Sequence, residues 1–191
     1  MADWVLATER AYVAAATGGA VPTGGGEEHL GRARAALGAV ASRYLAVGTP
    51  RSLGLVVDSE PSAAEAALSV FAHRTWFQPS DLRCAGEHAE ELARGIGGRV
   101  TSLAEAMACD IVCLHAPISV ECKLLRRGTH VNVLTPLCSF EADLAHIATI
   151  THEAPGLAEL AAGLVDGRQL DEITVFVLGD AQIALAAVQV P

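Results

Sequence analysis

Leu53-Gly54-Leu55-Val56-Val57 runs without a polar residue and then breaks into Asp58-Ser59-Glu60-Pro61-Ser62. A continuous apolar run of this length marks a strand buried on both faces. Pro61 suits the first turn of a following helix, where its missing N–H has no intrahelical partner to lose. Residues 62–71 then carry helical spacing, so the unit reads as strand, tight turn, helix. Downstream the alternation continues. Residues 81–85 read as a weaker second strand, 87–96 as a helix, 99–101 as a brief third strand and 103–108 as a short helix. Residues 110–115, built on Ile111, Val112, Cys113 and Leu114, form the fourth strand. Residues 128–135, with Val131, Val133 and Leu134, give a fifth, and residues 145–151 a sixth. Residues 156–164 and 180–190 read as helices. Strand–helix alternation of this kind predicts βαβ units, and therefore an α/β fold with a doubly wound parallel sheet and helices on both faces.

Upstream of the quoted stretch the pattern is helical. Residues 1–17 form a short amphipathic helix with Trp4, Val5, Ala11, Tyr12 and Ala15 on one side. Gly18-Gly19-Ala20-Val21-Pro22-Thr23-Gly24-Gly25-Gly26 follows, a stretch that neither helix nor strand crosses intact. A second helix runs over 27–46, with Leu30, Leu37, Val40 and Tyr44 at helical spacing, until Gly48-Thr49-Pro50 stops it. The organisation is thus an N-terminal helix and Gly-rich linker over 1–26, and one α/β domain over 27–191.

The chain has 191 residues, enough for one well-cored domain and too few for two of ordinary size. Its 13 basic residues against 22 acidic ones leave a formal charge of −9, a surface that repels phosphate backbones and excludes nucleic acid as the expected partner. No apolar run approaches the roughly 18–20 residues that a membrane span needs. Met1-Ala2-Asp3-Trp4 does not open a signal peptide, so the expected address is cytoplasmic and no membrane is involved. Five cysteines, an odd number, argue against a disulfide framework.

In doubly wound sheets a ligand sits beyond the carboxyl ends of the strands, at the first strand-to-helix turn. A dinucleotide-binding Rossmann turn carries G-x-G-x-x-G, so that bare backbone approaches the pyrophosphate at the helix N-terminus. Here the three glycine positions hold Val57, Ser59 and Ser62. Side chains occupy the space the backbone needs to clear. Asp58 and Glu60 add negative charge where a diphosphate would lie, at a cost on the order of a kcal/mol each. The acidic residue expected after the second strand falls near Gly86-Glu87, where Glu87 reads first as a carboxylate favouring a helix dipole.

Other constellations are weaker. His115 ends the fourth strand, His152 ends the sixth, and Cys138 follows the fifth. These three are candidates to meet at the crevice, but no C-x-x-C or H-x-x-x-H pair fixes metal geometry. Cys113 reads as a small buried hydrophobe. A cysteine nucleophile with His115 as base would need a site that favours thiolate. His29, His73, His88 and His130 read as ordinary surface or partly buried residues. Lys123, Arg126 and Arg127 read as a solvated face, and Trp76-Phe77 as aromatics plugging the sheet edge. If any ligand binds, the expected crevice residues are Asp58, Ser59, Glu60, Ser62, His115, Thr135 and His152.

Several stretches together carry a resemblance. Asp171-Glu172-Ile173-Thr174-Val175-Phe176, followed by an alanine-rich helix, resembles the C-terminal signature of the ornithine cyclodeaminase/μ-crystallin family. So do Ser42-Arg43-Tyr44-Leu45-Ala46 leading into Ser52-Leu53-Gly54-Leu55, Ala108-Cys109-Asp110-Ile111-Val112, and Gly128-Thr129-His130-Val131-Asn132. Their order and spacing match from about residue 30 to 190. The resemblance implies a NAD(P)-binding Rossmann domain, a second domain for substrate and dimerisation, and cyclodeamination, imine reduction or amino-acid oxidation.

The departures from that pattern matter more. The family's long β-rich segment with substrate-binding Arg and Lys is here reduced to the linker Gly24-Gly25-Gly26. The family's catalytic Asp position holds Leu137, and its Lys-Ser-x-Gly stretch becomes Val177-Leu178-Gly179-Asp180. Taken together, these changes imply a non-catalytic chain that keeps the scaffold as a binding, assembly or regulatory module, with no cofactor and no metal. The alternatives are a NAD- or NADP-dependent oxidoreductase or cyclodeaminase with an altered cofactor loop, and a small-molecule sensor using the strand-end crevice. Loss of the substrate domain would bare apolar surface on helices 1–17 and 30–46. The expected partner is therefore a second copy, or another protein, covering the N-terminal and C-terminal helices.

Overall fold

The structure is a computed structural model and describes residues 30–46, 48–135, 138–151 and 172–178. The helix expected at 1–17, the linker at 18–26, the helices at 156–164 and 180–190, and His29, Leu137, His152, Gly179 and Asp180 lie outside them.

Helix α1 spans Leu30–Leu45. The first βα unit is strand β1 (Ser52–Val57) and helix α2 (Glu60–His73). It is followed by β2 (Asp81–Gly86), α3 (Ala89–Ile96), β3 (Arg99–Val100), α4 (Leu103–Met107) and β4 (Ile111–Leu114). Then come β5 (Ser119–Val120), a 3₁₀ turn (Cys122–Leu124), β6 (His130–Val133) and β7 (Ser139–Phe140). Helix α5 (Leu144–Ile147) leads into β8 (Ala148–Thr151), and β9 (Ile173–Val177) is the last described strand.

The main sheet has seven strands in the order β3-β2-β1-β4-β6-β9-β8, with every pair parallel. β5 and β7 form a separate two-stranded sheet. This is the Rossmann-like α/β fold that the strand–helix alternation predicts. Two features go beyond that reading. Ile173–Val177 is a strand in its own right and inserts between β6 and β8, and the β5–β7 pair was not expected. The strand expected over 145–151 is shorter, because Leu144–Ile147 turns as a helix first.

The period of two along each strand divides the interior into two cores. Leu53, Leu55, Val57, Ile111, Cys113 and Phe176 face α1, α2 and α3. Val56, Val112, Leu114, Val131, Val133 and Val175 face the other side, where Ala106 and Met107 of α4 and Leu144 of α5 pack. Gly54 faces α4 as well: a Cβ placed there would lie 2.1 Å from the Ala106 carbonyl oxygen. Only a glycine lets the helix come this close to the strand.

Within the single chain, α1 is buried along most of its length. Ala35, Ala36, Leu37, Ala39, Val40 and Ala41 are each 0–1% exposed. The expectation that the helix at 30–46 leaves apolar surface bare is therefore corrected, since its small side chains let it lie close against the sheet and α2. A Cβ on Gly38 would lie 3.2 Å from the Leu134 side chain, so α1 sits tight on that residue. Trp76 and Phe77 pack against the same core beside His73, as an edge plug does.

Candidate functional site

Strand order reverses at β1, with β2 and β3 on one side and β4 and β6 on the other. Beyond the carboxyl ends of β1, β4 and β6 lies a crevice of about 370 Å³, lined by residues that include Arg34, Asp58, Ser59, Ser62, Glu65, His115 and Thr135. Asp58, Ser59, Ser62, His115 and Thr135 are thus brought together. Glu60 is not among them; it faces a separate groove between α2 and α3, beside Phe71 and Leu92. Glu87 is exposed in the turn before α3 and does not line the crevice.

The turn after β1 is closed upon itself. Ser59 caps α2, and its Oγ accepts from the Ser62 amide at 3.4 Å. Ser62 Oγ in turn accepts from the amides of Asp58 and Ser59, each at 3.0 Å, and donates to the Ser59 carbonyl at 2.8 Å. Three amides of the turn are thereby bonded internally, and Pro61 has no amide proton to offer.

Two crevice residues, Arg34 and Glu65, give no signal in the sequence. They come from different helices and meet only because α1 packs along α2. Arg34 Nη1 donates to Glu65 Oε1 at 2.6 Å, while Arg34 Nε is buried without a hydrogen-bond partner. His115 follows β4, and its side chain is 1% exposed. Its Nε2 lies 3.1 Å from Ser69 Oγ. Its Nδ1 lies 3.8 Å from Glu65 Oε2 and has no hydrogen-bond partner. Burial pushes the Glu65 carboxyl up, but His115 and Arg34 together outweigh this and hold it below its ordinary value.

Behind the crevice, a line of buried polar groups crosses the interface between α1 and the sheet. His73 Nδ1 donates to the Ser69 carbonyl at 2.7 Å, so the Nε2 of the neutral ring accepts from Ser42 Oγ at 2.9 Å. Ser42 accepts from Asn132 Nδ2 at 2.7 Å, and Asn132 Oδ1 accepts from His130 Nε2 at 3.0 Å. His130 Nδ1 meets the Thr174 hydroxyl, which also reaches the Leu45 carbonyl. The expectation of surface or partly buried positions for His73 and His130 is corrected: both are 0% exposed. Polar partners brought in by the fold make their burial tolerable, Ser42 for His73 from 31 residues away and Thr174 for His130 from 44.

Among the described residues, which do not include His152, the nucleophile and metal readings find no geometry to support them. Burial pushes the Cys113 thiol up to about 12 and the Cys84 and Cys109 thiols up to about 11. Cys138 is also raised by burial, and its Sγ donates to the Ala116 carbonyl. Among the described residues no group of three potential ligands stands close enough to hold a metal ion. Lys123 pairs with Glu121, and Arg126 with Asp110, as on a solvated face. No described helix is long and apolar enough to cross a membrane.

No protein-family model matches the chain, and no curated protein matches its sequence. Solved structures do share its fold. One is an archaeal alanine dehydrogenase dimer with bound NAD, 22% identical over 82% of this chain and 61% of that one, with a TM-score of 0.67. Another is the iminosuccinate reductase of Paracoccus denitrificans in complex with NAD⁺, 18% identical over 86% and 63%, at 0.70. A third is a probable ornithine cyclodeaminase from Bordetella pertussis Tohama I, 18% identical over 82% and 63%, at 0.62. The chain spans less than two-thirds of the length of each. At such identities the likeness establishes the architecture, a Rossmann-like α/β domain.

Proposed function

We propose that the chain is a non-catalytic module that uses this scaffold for binding or assembly and does not depend on a bound dinucleotide. The turn after β1 carries the reading. In dinucleotide-binding turns, free amides at the helix start face the diphosphate. Here Ser62 Oγ and Ser59 Oγ already take the amides of Asp58, Ser59 and Ser62. Asp58 adds a carboxylate to the same crevice. A diphosphate would have to break the cap and sit beside that charge, which the residues present do not favour. Within this reading, 1–26 is a remnant of the substrate domain, 27–191 is the retained domain, and the cytoplasm is its address.

The competing reading is a NAD(P)-dependent oxidoreductase or cyclodeaminase with an altered cofactor loop. It draws on the NAD held by the alanine dehydrogenase and the iminosuccinate reductase of the same fold. Thermal unfolding with NAD, NADH, NADP and NADPH separates the two. A ligand at a hundred times its dissociation constant stabilises by about 2.7 kcal/mol. We expect no shift with any of the four, and a saturable shift with one of them overturns the non-catalytic reading.

A further inference from the structure

Resting on the reading that no dinucleotide fills it, we propose that the crevice between Arg34, Glu65 and His115 binds an uncharged polyol, either free or as the ribose of an unphosphorylated nucleoside. The starting point is a pair of buried polar atoms on its wall that lack partners. His115 Nδ1, on a ring that is 1% exposed, stands 3.8 Å from Glu65 Oε2, beyond hydrogen-bond reach. Arg34 Nε, a donor only, is likewise buried and unpartnered. Native structures rarely leave such groups unmet.

The chemistry of the gap selects the ligand. The Glu65 carboxylate favours the tautomer with the imidazole proton on Nδ1, facing it, and Nε2 then accepts from the Ser69 hydroxyl. A group placed between them must accept from Nδ1–H and donate to Oε2. A hydroxyl does both. A phosphate dianion or a carboxylate only accepts, and an ammonium only donates. Water also does both, but the crevice asks for more than one such group. Arg34 Nε–H wants a second acceptor, and the exposed Asp58 carboxylate a second donor. A molecule with several hydroxyls supplies all of these at once.

Charge and size agree. One guanidinium against the carboxylates of Asp58 and Glu65 disfavours an anion. The volume of about 370 Å³ is at the small end of ligand sites, and Pro117 and Leu134 offer apolar wall to the carbon face of a sugar.

The test is titration of the full chain with D-ribose, adenosine, AMP and ADP, followed by calorimetry and by the imidazole nitrogen resonances of His115. Ribose or adenosine is expected to shift the Nδ1 resonance, with AMP and ADP binding at least tenfold more weakly than adenosine. Adenosine binding tenfold tighter than ribose identifies a nucleoside, and equal affinities identify a free polyol. E65Q is expected to lose at least tenfold in affinity. Because it also breaks the pair with Arg34, T135W serves as a second variant that fills the crevice and leaves the pair intact. AMP or ADP binding as tightly as adenosine overturns the proposal. So does the absence of binding by all four to folded protein, or unchanged affinity in T135W. These failures are distinct from that of the parent reading, which falls only to a saturable shift with NAD(H) or NADP(H).

Discussion

His73 is wholly enclosed, and burial pushes its imidazole down to about 4 although its Nδ1–H donates to the Ser69 carbonyl. The sign of the pH effect follows. An unfolded histidine binds a proton near 6.5 and the folded one does not until about 4. Stability is therefore complete above the unfolded value and falls as pH drops from 6.5 towards 4, by about 3 kcal/mol in all. Urea unfolding at pH 7.5 and 4.5 measures this slope, and His73→Gln is expected to flatten it. Asn132 makes a second residue-scale prediction. It bridges His130 and Ser42, so Asn132→Leu strands two buried polar groups and is expected to cost roughly 3 kcal/mol in urea unfolding. None of this is visible in the sequence. A histidine at the end of a helix reads the same whether its partner is water or a serine 31 residues away.

At the scale of elements, the turn and helix of the first βα unit are legible from the residues alone. An apolar run, a Ser-rich turn and Pro61 are local signals whose physics acts within a few residues. Their purpose is less visible: Ser59 and Ser62 both look like substitutions for glycine, yet together they form a reciprocal cap. Ser59→Ala is expected to lower stability by about 1 kcal/mol in thermal unfolding. It is not expected to create affinity for NADH, because Asp58 and Pro61 remain. Gly54→Ala tests the α4–β1 contact. Its Cβ would meet a backbone oxygen that cannot rotate away, so a loss of about 3 kcal/mol or failure to fold is expected, measured by circular dichroism during urea unfolding. Strands β5 and β7 have two residues each, too few for a period, and unlike β3 they lie outside the strand–helix alternation, which is why they escape the sequence.

For the whole molecule, the central matter is association. The apolar face of α1 is occupied within the chain, so any contact between copies uses other surface, such as Phe71 (59% exposed) or Val100 at the sheet edge (55%). Self-association remains part of the proposed reading, and sedimentation velocity at micromolar concentration is expected to show a dimer or larger species. A clean monomer removes it. What the sequence determined by itself is the alternation of strand and helix, the parallel sheet that follows from it, and a first turn without glycines, because periodicity and turn sterics are short-range. Only the tertiary structure decided that Arg34, Glu65 and His115 share one wall, that Glu60 turns away from it, and that His73 and His130 are buried. Those facts depend on how α1 and α2 pack across the sheet, and close packing joins residues whose separation along the chain carries no local signal.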